Sequence, residues 1–224
     1  MTINHLLIVI HVVVLGYWLG ADLVINHTYR YVAYRSDMPT DERAKLMSHV
    51  LDVDQHVRYA LIIQLTLGLA IAARIGYVPG GNALAYGAGV LALGWLAFIE
   101  FVHRLRYSAT GRTLATVDRA SRYVLIAVLS LFAIGLIGGQ WPTPAWLRWK
   151  LGLFAAVMAC GVGIRLILIE HYRVWAIIER RGATRAANLK LRHIYRRSSA
   201  VLALLWILII AIAALSVAKP SGLS

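Results

Sequence analysis

The chain has 224 residues, of which 60% are hydrophobic and only 15% are charged, and its formal net charge is +13. With a mean hydropathy of +0.68, this composition excludes a soluble domain, because such a domain needs a mostly polar surface. We therefore expect an integral membrane protein.

Six apolar segments predict the transmembrane helices, since each span needs roughly 20 consecutive apolar residues. In chain order, the segments cover residues 5–26, 56–76, 84–104, 121–139, 146–169 and 198–217. The fourth is short, but its stretch YVLIAVLSLFAIGLIGG carries no charge. We predict an all-α, polytopic membrane bundle of about six spans, which forms one integral membrane domain over residues 1–224.

The first segment is expected to remain as a membrane helix. The preceding MTINH contains no Lys or Arg, whereas a cleaved signal peptide begins with a basic region and ends at a small-residue cleavage site. The apolar segment instead continues into the polar stretch NHTYRYVAYR.

Basic residues are distributed unequally between the two sides of the predicted membrane. The first, third and fifth connections are rich in Arg and Lys, whereas only Arg74, Arg148, Lys150 and Lys219 lie on the other side. The positive-inside rule then places both termini on the non-cytoplasmic side of what we expect to be a bacterial cytoplasmic membrane. Because these charges flank the spans, we assign them to anionic lipid headgroups and expect no nucleic acid partner.

Two ionisable residues are predicted to share a layer near the outer face. Counted inward at roughly 1.5 Å per residue, His11 lies about 9 Å deep on the first helix and Lys150 about 6 Å deep on the fifth. Ionisable groups at bilayer depth are costly and usually face the bundle interior, so both residues are candidates for function. The structural alternative for His11 is a hydrogen bond to a neighbouring carbonyl.

A second polar layer is predicted near the cytoplasmic boundary. The same count places Asp22, Glu100 and Arg165 roughly 24 to 28 Å from the outer face. Histidines at its level or its edge are His27, His56, His103, His171 and His193. Polar layers near both faces favour redox or ion chemistry across the membrane, and neutral imidazole is a good ligand for haem iron and copper. A structural role is favoured for the histidines at basic helix ends, which are His27, His171 and His193.

Two local spacings could assemble a metal site in the inner layer. His49, Asp52 and His56 share one helical face at positions i, i+3 and i+7, and Glu100 and His103 share another at i and i+3. Carboxylate and imidazole groups on converging helices are typical of metal sites in bundles. The candidate metal ligands are His11, His56, Glu100 and His103.

Ion pairing is the alternative role for the carboxylates. Asp52 and Asp54 would offset the surrounding arginines, and Glu100 would pair with Arg165, because two buried charges of opposite sign need each other. The residues alone leave both interpretations open.

Three motifs carry a family resemblance. The first helix contains His11 and Trp18 with the small residues Gly20 and Ala21 just after, WLRWKLGL opens the fifth helix, and LIIAIAALSVAKPS lies near the end of the chain. Together they resemble the HemJ-type protoporphyrinogen oxidases and the related CopD-type membrane proteins. The resemblance covers helices 1, 2, 5 and 6, and helices 3 and 4 would be an insertion relative to a four-helix core.

The resemblance implies a bundle that binds haem b. His11 would be an axial ligand, Lys150 its basic partner, and Trp18 part of the same cofactor site. The oxidases tend to carry a further His about three turns after the Lys, whereas this chain reads FAAVMACGVG there. Porphyrinogen oxidation is therefore not favoured, even if a haem is bound.

A second haem nearer the cytoplasm is also considered. Two of His56, His103 and His171 would be its ligands, and Arg165 and Lys150 would pair with haem propionates through charge-assisted hydrogen bonds. We thus predict one or two haems in this chain.

The leading functional prediction is a haem b protein that transfers electrons in the cytoplasmic membrane, linked to quinone or to a redox partner protein. Whether it is an enzyme, a membrane oxidoreductase, is left open. One alternative is CopD-like copper transport or handling, although Cu(I) transport favours soft ligands and the chain has one Cys and four Met. Another is a non-catalytic subunit of a larger complex, and homo-oligomers also remain open.

Overall fold

A computed structural model describes residues 2–106 and 108–219, except for the side chain of Arg181. Within these ranges the chain forms six α-helices and no strand. The helices are α1 (Ile3–Tyr34), α2 (Thr40–Ile75), α3 (Gly81–Arg104), α4 (Ala109–Ala133), α5 (Ala145–Arg181) and α6 (Arg185–Ala218). The predicted all-α membrane bundle is confirmed.

Short connections arrange the helices as one closed bundle. Each helix packs against its neighbours in sequence, and α1 also packs against α6. Consecutive helices are therefore antiparallel. We call the end that carries connections 35–39, 105–108 and 182–184 the basic end, and the opposite end, which carries the chain termini, the terminal end.

Five of the described helices are long and apolar enough to cross a membrane, and α4 is the exception. Its apolar part begins after Arg122 and ends with the helix at Ala133, because the chain turns at Gly135 with a φ of 79°. At roughly 1.5 Å per residue this part is roughly 16 Å long, about half of the ~30 Å hydrocarbon core. The helix thus ends six residues before the end of the span predicted at 121–139.

Four helices extend further at the basic end than the other two. Helix α2 has 36 residues and α5 has 37, whereas α3 has 24. At roughly 1.5 Å per residue, α5 is roughly 55 Å long and α3 roughly 36 Å. Because short connections align the helices at the terminal end, the hairpins α1–α2 and α5–α6 extend past α3 and α4. We call these four helix ends the projection.

The projection has an apolar core of its own. One cluster joins α1, α2 and α6 through Tyr29, Val32, Ala33, Met47, Val50 and Tyr195. A second joins α5 and α6 through Val174, Trp175, Ile178, Leu191 and Ile194. The four helices therefore pack together beyond the level where α3 and α4 end.

The middle of the bundle is closed by a separate apolar cluster. Its buried members are Trp18, Ala60, Val157, Leu202, Leu205 and Ile209, which come from α1, α2, α5 and α6. Trp18 is only 3% exposed and packs edge to face on Phe154, with the ring centroids 6.4 Å apart. This cluster separates the polar residues of the terminal end from those of the basic end.

Candidate functional site

A cavity of about 150 Å³ lies inside the bundle, on the basic side of the mid-bundle cluster. All six helices line it. Its wall combines apolar side chains with polar ones, among them Asp22, Asn26, Asp54, Arg58, Asp118 and Arg122. A concave site with a few convergent polar groups is the usual form of a ligand site.

An ionic network joins α2 to α4 at this cavity. Arg58 Nε donates to Asp54 Oδ2 at 3.1 Å, and Arg122 Nη2 donates to Asp118 Oδ2 at 2.8 Å. Arg58 Nη1 lies 3.8 Å from the same Asp118 oxygen. The two close pairs follow from i, i+4 spacing on each helix. The Asp118 side chain is only 8% exposed, so the network is a largely buried contact between helices.

Asp22 lines the same cavity but forms no ion pair with any residue that the structure describes. The residue is 7% exposed, and its Oδ2 atom has no hydrogen-bond partner among the described residues. The indole N–H groups of Trp18 and Trp206 approach the carboxylate, but neither reaches hydrogen-bonding geometry. Asp22 is thus a buried acid held beside two indole donors.

The predicted pairing of Glu100 with Arg165 is wrong. Glu100 Oε1 accepts a hydrogen bond from Arg104 Nε at 2.5 Å, and its Oε2 accepts one from the Tyr59 hydroxyl. Arg104 lies one turn after Glu100 on the same helix, whereas Arg165 is on α5, and α3 packs mainly on α2 and α4. Arg165 is exposed and interacts electrostatically with the ionic network instead.

The predicted role of Asp52 and Asp54 in offsetting arginines is confirmed. Asp54 pairs with Arg58 at 3.1 Å, and Asp52 Oδ1 accepts from Arg106 Nη1 at 3.2 Å. His103 Nε2 lies 3.8 Å from the same Asp52 oxygen. The loop after α3 is thereby tied to α2.

The four candidate metal ligands are not brought together. The Tyr17 hydroxyl lies 2.5 Å from His56 Nδ1, while Glu100 and His103 have the partners just described. His11 lies beyond the mid-bundle cluster, towards the terminal end. No three His, Cys, Asp or Glu side chains converge within residues 2–106 and 108–219.

His171 is buried in the projection and has a structural partner. It is 1% exposed, its Nδ1 lies 3.0 Å from the Tyr29 hydroxyl, and its ring stacks on Trp175 with a centroid separation of 6.0 Å. Its Nε2 has no hydrogen-bond partner in the described chain. The structural role favoured for this histidine agrees with these contacts.

Sequence reasoning did not identify Arg43, which is 0% exposed. Its Nε donates to the Val32 carbonyl and its Nη1 to Asn188 Oδ1, both at 3.1 Å. Its guanidinium carbon lies 5.3 Å from the centroid of the Trp175 ring. None of the ion pairs in the described ranges includes Arg43. The signal was its spacing to Met47 and Val50, which predicts one buried helical face.

His11 and Lys150 both lie in the terminal half of the bundle and interact electrostatically. His11 Nδ1 is buried without a hydrogen-bond partner among the described residues, so a bond to a neighbouring carbonyl is not observed there. Lys150 is close enough to interact electrostatically with the imidazole. On the α2 side, a methyl group built at Gly68 would lie 3.6 Å from His11 Cε1. The two residues predicted to share the outer layer are therefore near enough to interact electrostatically.

No protein-family model, curated protein or solved structure matches the chain significantly. The resemblance to the HemJ-type and CopD-type proteins accordingly stays a prediction made from the motifs.

Proposed function

We propose that the chain is a haem b-binding redox protein of the membrane, with His11 as an axial ligand to the iron. The observation that supports this proposal is the buried Nδ1 atom of His11, which has no hydrogen-bond partner among the described residues and lies on an apolar helix within electrostatic range of Lys150. Electrons would pass between the haem and quinone or a redox partner protein.

The residues around His11 fit one haem ligand and one charge partner. A neutral imidazole without a competing hydrogen bond keeps a nitrogen for iron. Lys150 can donate a charge-assisted hydrogen bond to a propionate. Gly68 places no side chain between α2 and the imidazole. The haem would supply one-electron transfer, and the chain would orient it and tune its potential.

We restrict the proposal to one haem. Each of the three histidines considered for a second haem has a contact through one ring nitrogen, and His171 lies in the projection, whereas His56 and His103 lie on α2 and α3. His56 contacts Tyr17, His103 contacts Asp52, and His171 contacts Tyr29. The copper alternative lacks a comparable supporting observation, since no cluster of three ligands forms within the described residues.

The test is a reduced-minus-oxidised visible spectrum of the purified protein, with a pyridine haemochrome assay and metal analysis on the same sample. We expect about one equivalent of haem b, lost in His11→Ala and retained in His49→Ala. His49 is the matched control because it is exposed on α2. A colourless, iron-free protein would refute the proposal, and copper in its place would favour metal handling.

A further inference from the structure

The central cavity is suited to hold water. Its volume of about 150 Å³ corresponds to about five water molecules at roughly 30 Å³ each. Most of the wall is apolar, but Asp22 and Asn26 of α1, Ser198 of α6 and the ionic network of α2 and α4 line part of it, and these groups can serve as the polar partners that buried water needs. An apolar cavity of this size would stay dry, but this wall is charged.

The cavity wall is buried towards the terminal end and partly exposed on the basic side. Trp18, Val157 and Leu205 belong both to its wall and to the mid-bundle cluster, which closes it towards the terminal end. On the basic side, the Asp54 side chain is 35% exposed and Leu51 is 37% exposed. Tyr29 and Val50, which belong to the apolar core of the projection, also line the wall, so the exposed part at Asp54 is the route by which we expect water and small ions to enter.

The other charged side chains of the wall do not balance the negative charge of an ionised Asp22. Helix α2 contributes Asp54 with Arg58, and α4 contributes Asp118 with Arg122. These four groups neutralise one another through their ion pairs. Helices α3, α5 and α6 add no charged residue to the described wall, and the exposed Arg165 interacts with the network rather than with Asp22. An ionised Asp22 would thus give the cavity wall one net negative charge.

We propose that this cavity is a hydrated proton-binding site in which the Asp22 carboxylate accepts one proton from the basic end. An O–H bond forms on the carboxylate, the hydronium that donates the proton becomes water, and the cavity becomes electrically neutral. The indole N–H groups of Trp18 and Trp206 lie near the carboxylate without hydrogen-bonding to it, so its Oδ2 atom is free to take the proton. The inference rests on Asp22 and the cavity, and it does not depend on haem at His11.

The test is infrared difference spectroscopy of the full-length protein in sealed, uniformly oriented vesicles, with isotope-labelled aspartate. Changing the pH on the basic side should change one label-sensitive band of a protonated carboxyl group. That band should shift rapidly in heavy water, because the cavity is hydrated. It should be lost in Asp22→Asn and kept in Asp37→Asn, whose carboxyl group is 67% exposed outside the spans.

Three outcomes would overturn the proposal: the band persists in Asp22→Asn, it follows the pH on the terminal side, or monovalent cations displace it at constant pH. The last result would make the cavity a cation site. If Asp22→Asn does not fold, Asp22→Glu provides the test, because the labelled aspartate band should disappear while an unlabelled glutamate band appears. Two bands that both ignore pH would also refute proton binding.

Discussion

At Arg43, the conservative replacement by Lys should destabilise the protein more than replacement by the uncharged Met. Arg43→Lys keeps a buried positive charge but loses the planar guanidinium group. This group donates hydrogen bonds to the Val32 carbonyl and to Asn188 Oδ1 and lies over the Trp175 ring. A buried charge that loses its partners costs about 4 kcal/mol. Arg43→Met removes the charge and its desolvation cost, and leaves two carbonyl-type acceptors unpaired, so we expect a loss of about 2 kcal/mol.

The free energy of unfolding of both variants should be measured by equilibrium denaturation in mixed micelles. Arg35 provides the matched control, since its side chain is 49% exposed and pairs with Asp37. Lys or Met at that position should leave stability unchanged within error. If Arg43→Lys were as stable as the wild type, or more stable than Arg43→Met, the reasoning about a buried guanidinium without an ion pair would be refuted.

Other contacts give further predictions for the same unfolding assay and for the haem. Asp118→Asn should cost about 3 kcal/mol, because the carboxylate shared by two arginines is buried, whereas Asp54→Asn, at a more exposed position, should cost less than about 1 kcal/mol. Equal losses of unfolding free energy in the two variants would contradict the central position of Asp118 in the ionic network. Tyr29→Phe should cost about 1 kcal/mol by removing the partner of His171, and an unchanged midpoint would argue against that bond. Lys150→Met should lower the midpoint potential of bound haem by removing a positive charge, which potentiometric titration would detect. An unchanged midpoint potential would show that Lys150 does not lie near the haem.

Hydropathy was sufficient to predict five spans, because lipid imposes the same requirement on every residue of a spanning helix. It failed at the end of α4. There the chain stays apolar after Ala133, but Gly135 and Gly138 take positive φ values and end the helix. Hydropathy does not report backbone conformation, so it cannot detect a turn within an apolar segment.

Local spacing explains a side-chain contact that the depth estimate did not predict. Glu100 and Arg104 are four residues apart on one helix, which favours their ion pair over one with Arg165 at a similar estimated depth. Depth alone does not say which way a side chain faces around the helix. For His11 and Lys150, by contrast, depth placed two residues of sequence-distant helices at the level where the structure brings them together.

The unbroken length of α2 links three regions of the molecule mechanically. This single helix of 36 residues carries Arg43 in the projection, Arg58 at the cavity and Gly68 against His11. At roughly 1.5 Å per residue it behaves as a rod roughly 54 Å long. If the helix stays straight, a tilt imposed on the α1–α2 hairpin at the basic end would therefore shift Arg58 at the cavity and Gly68 next to His11 together.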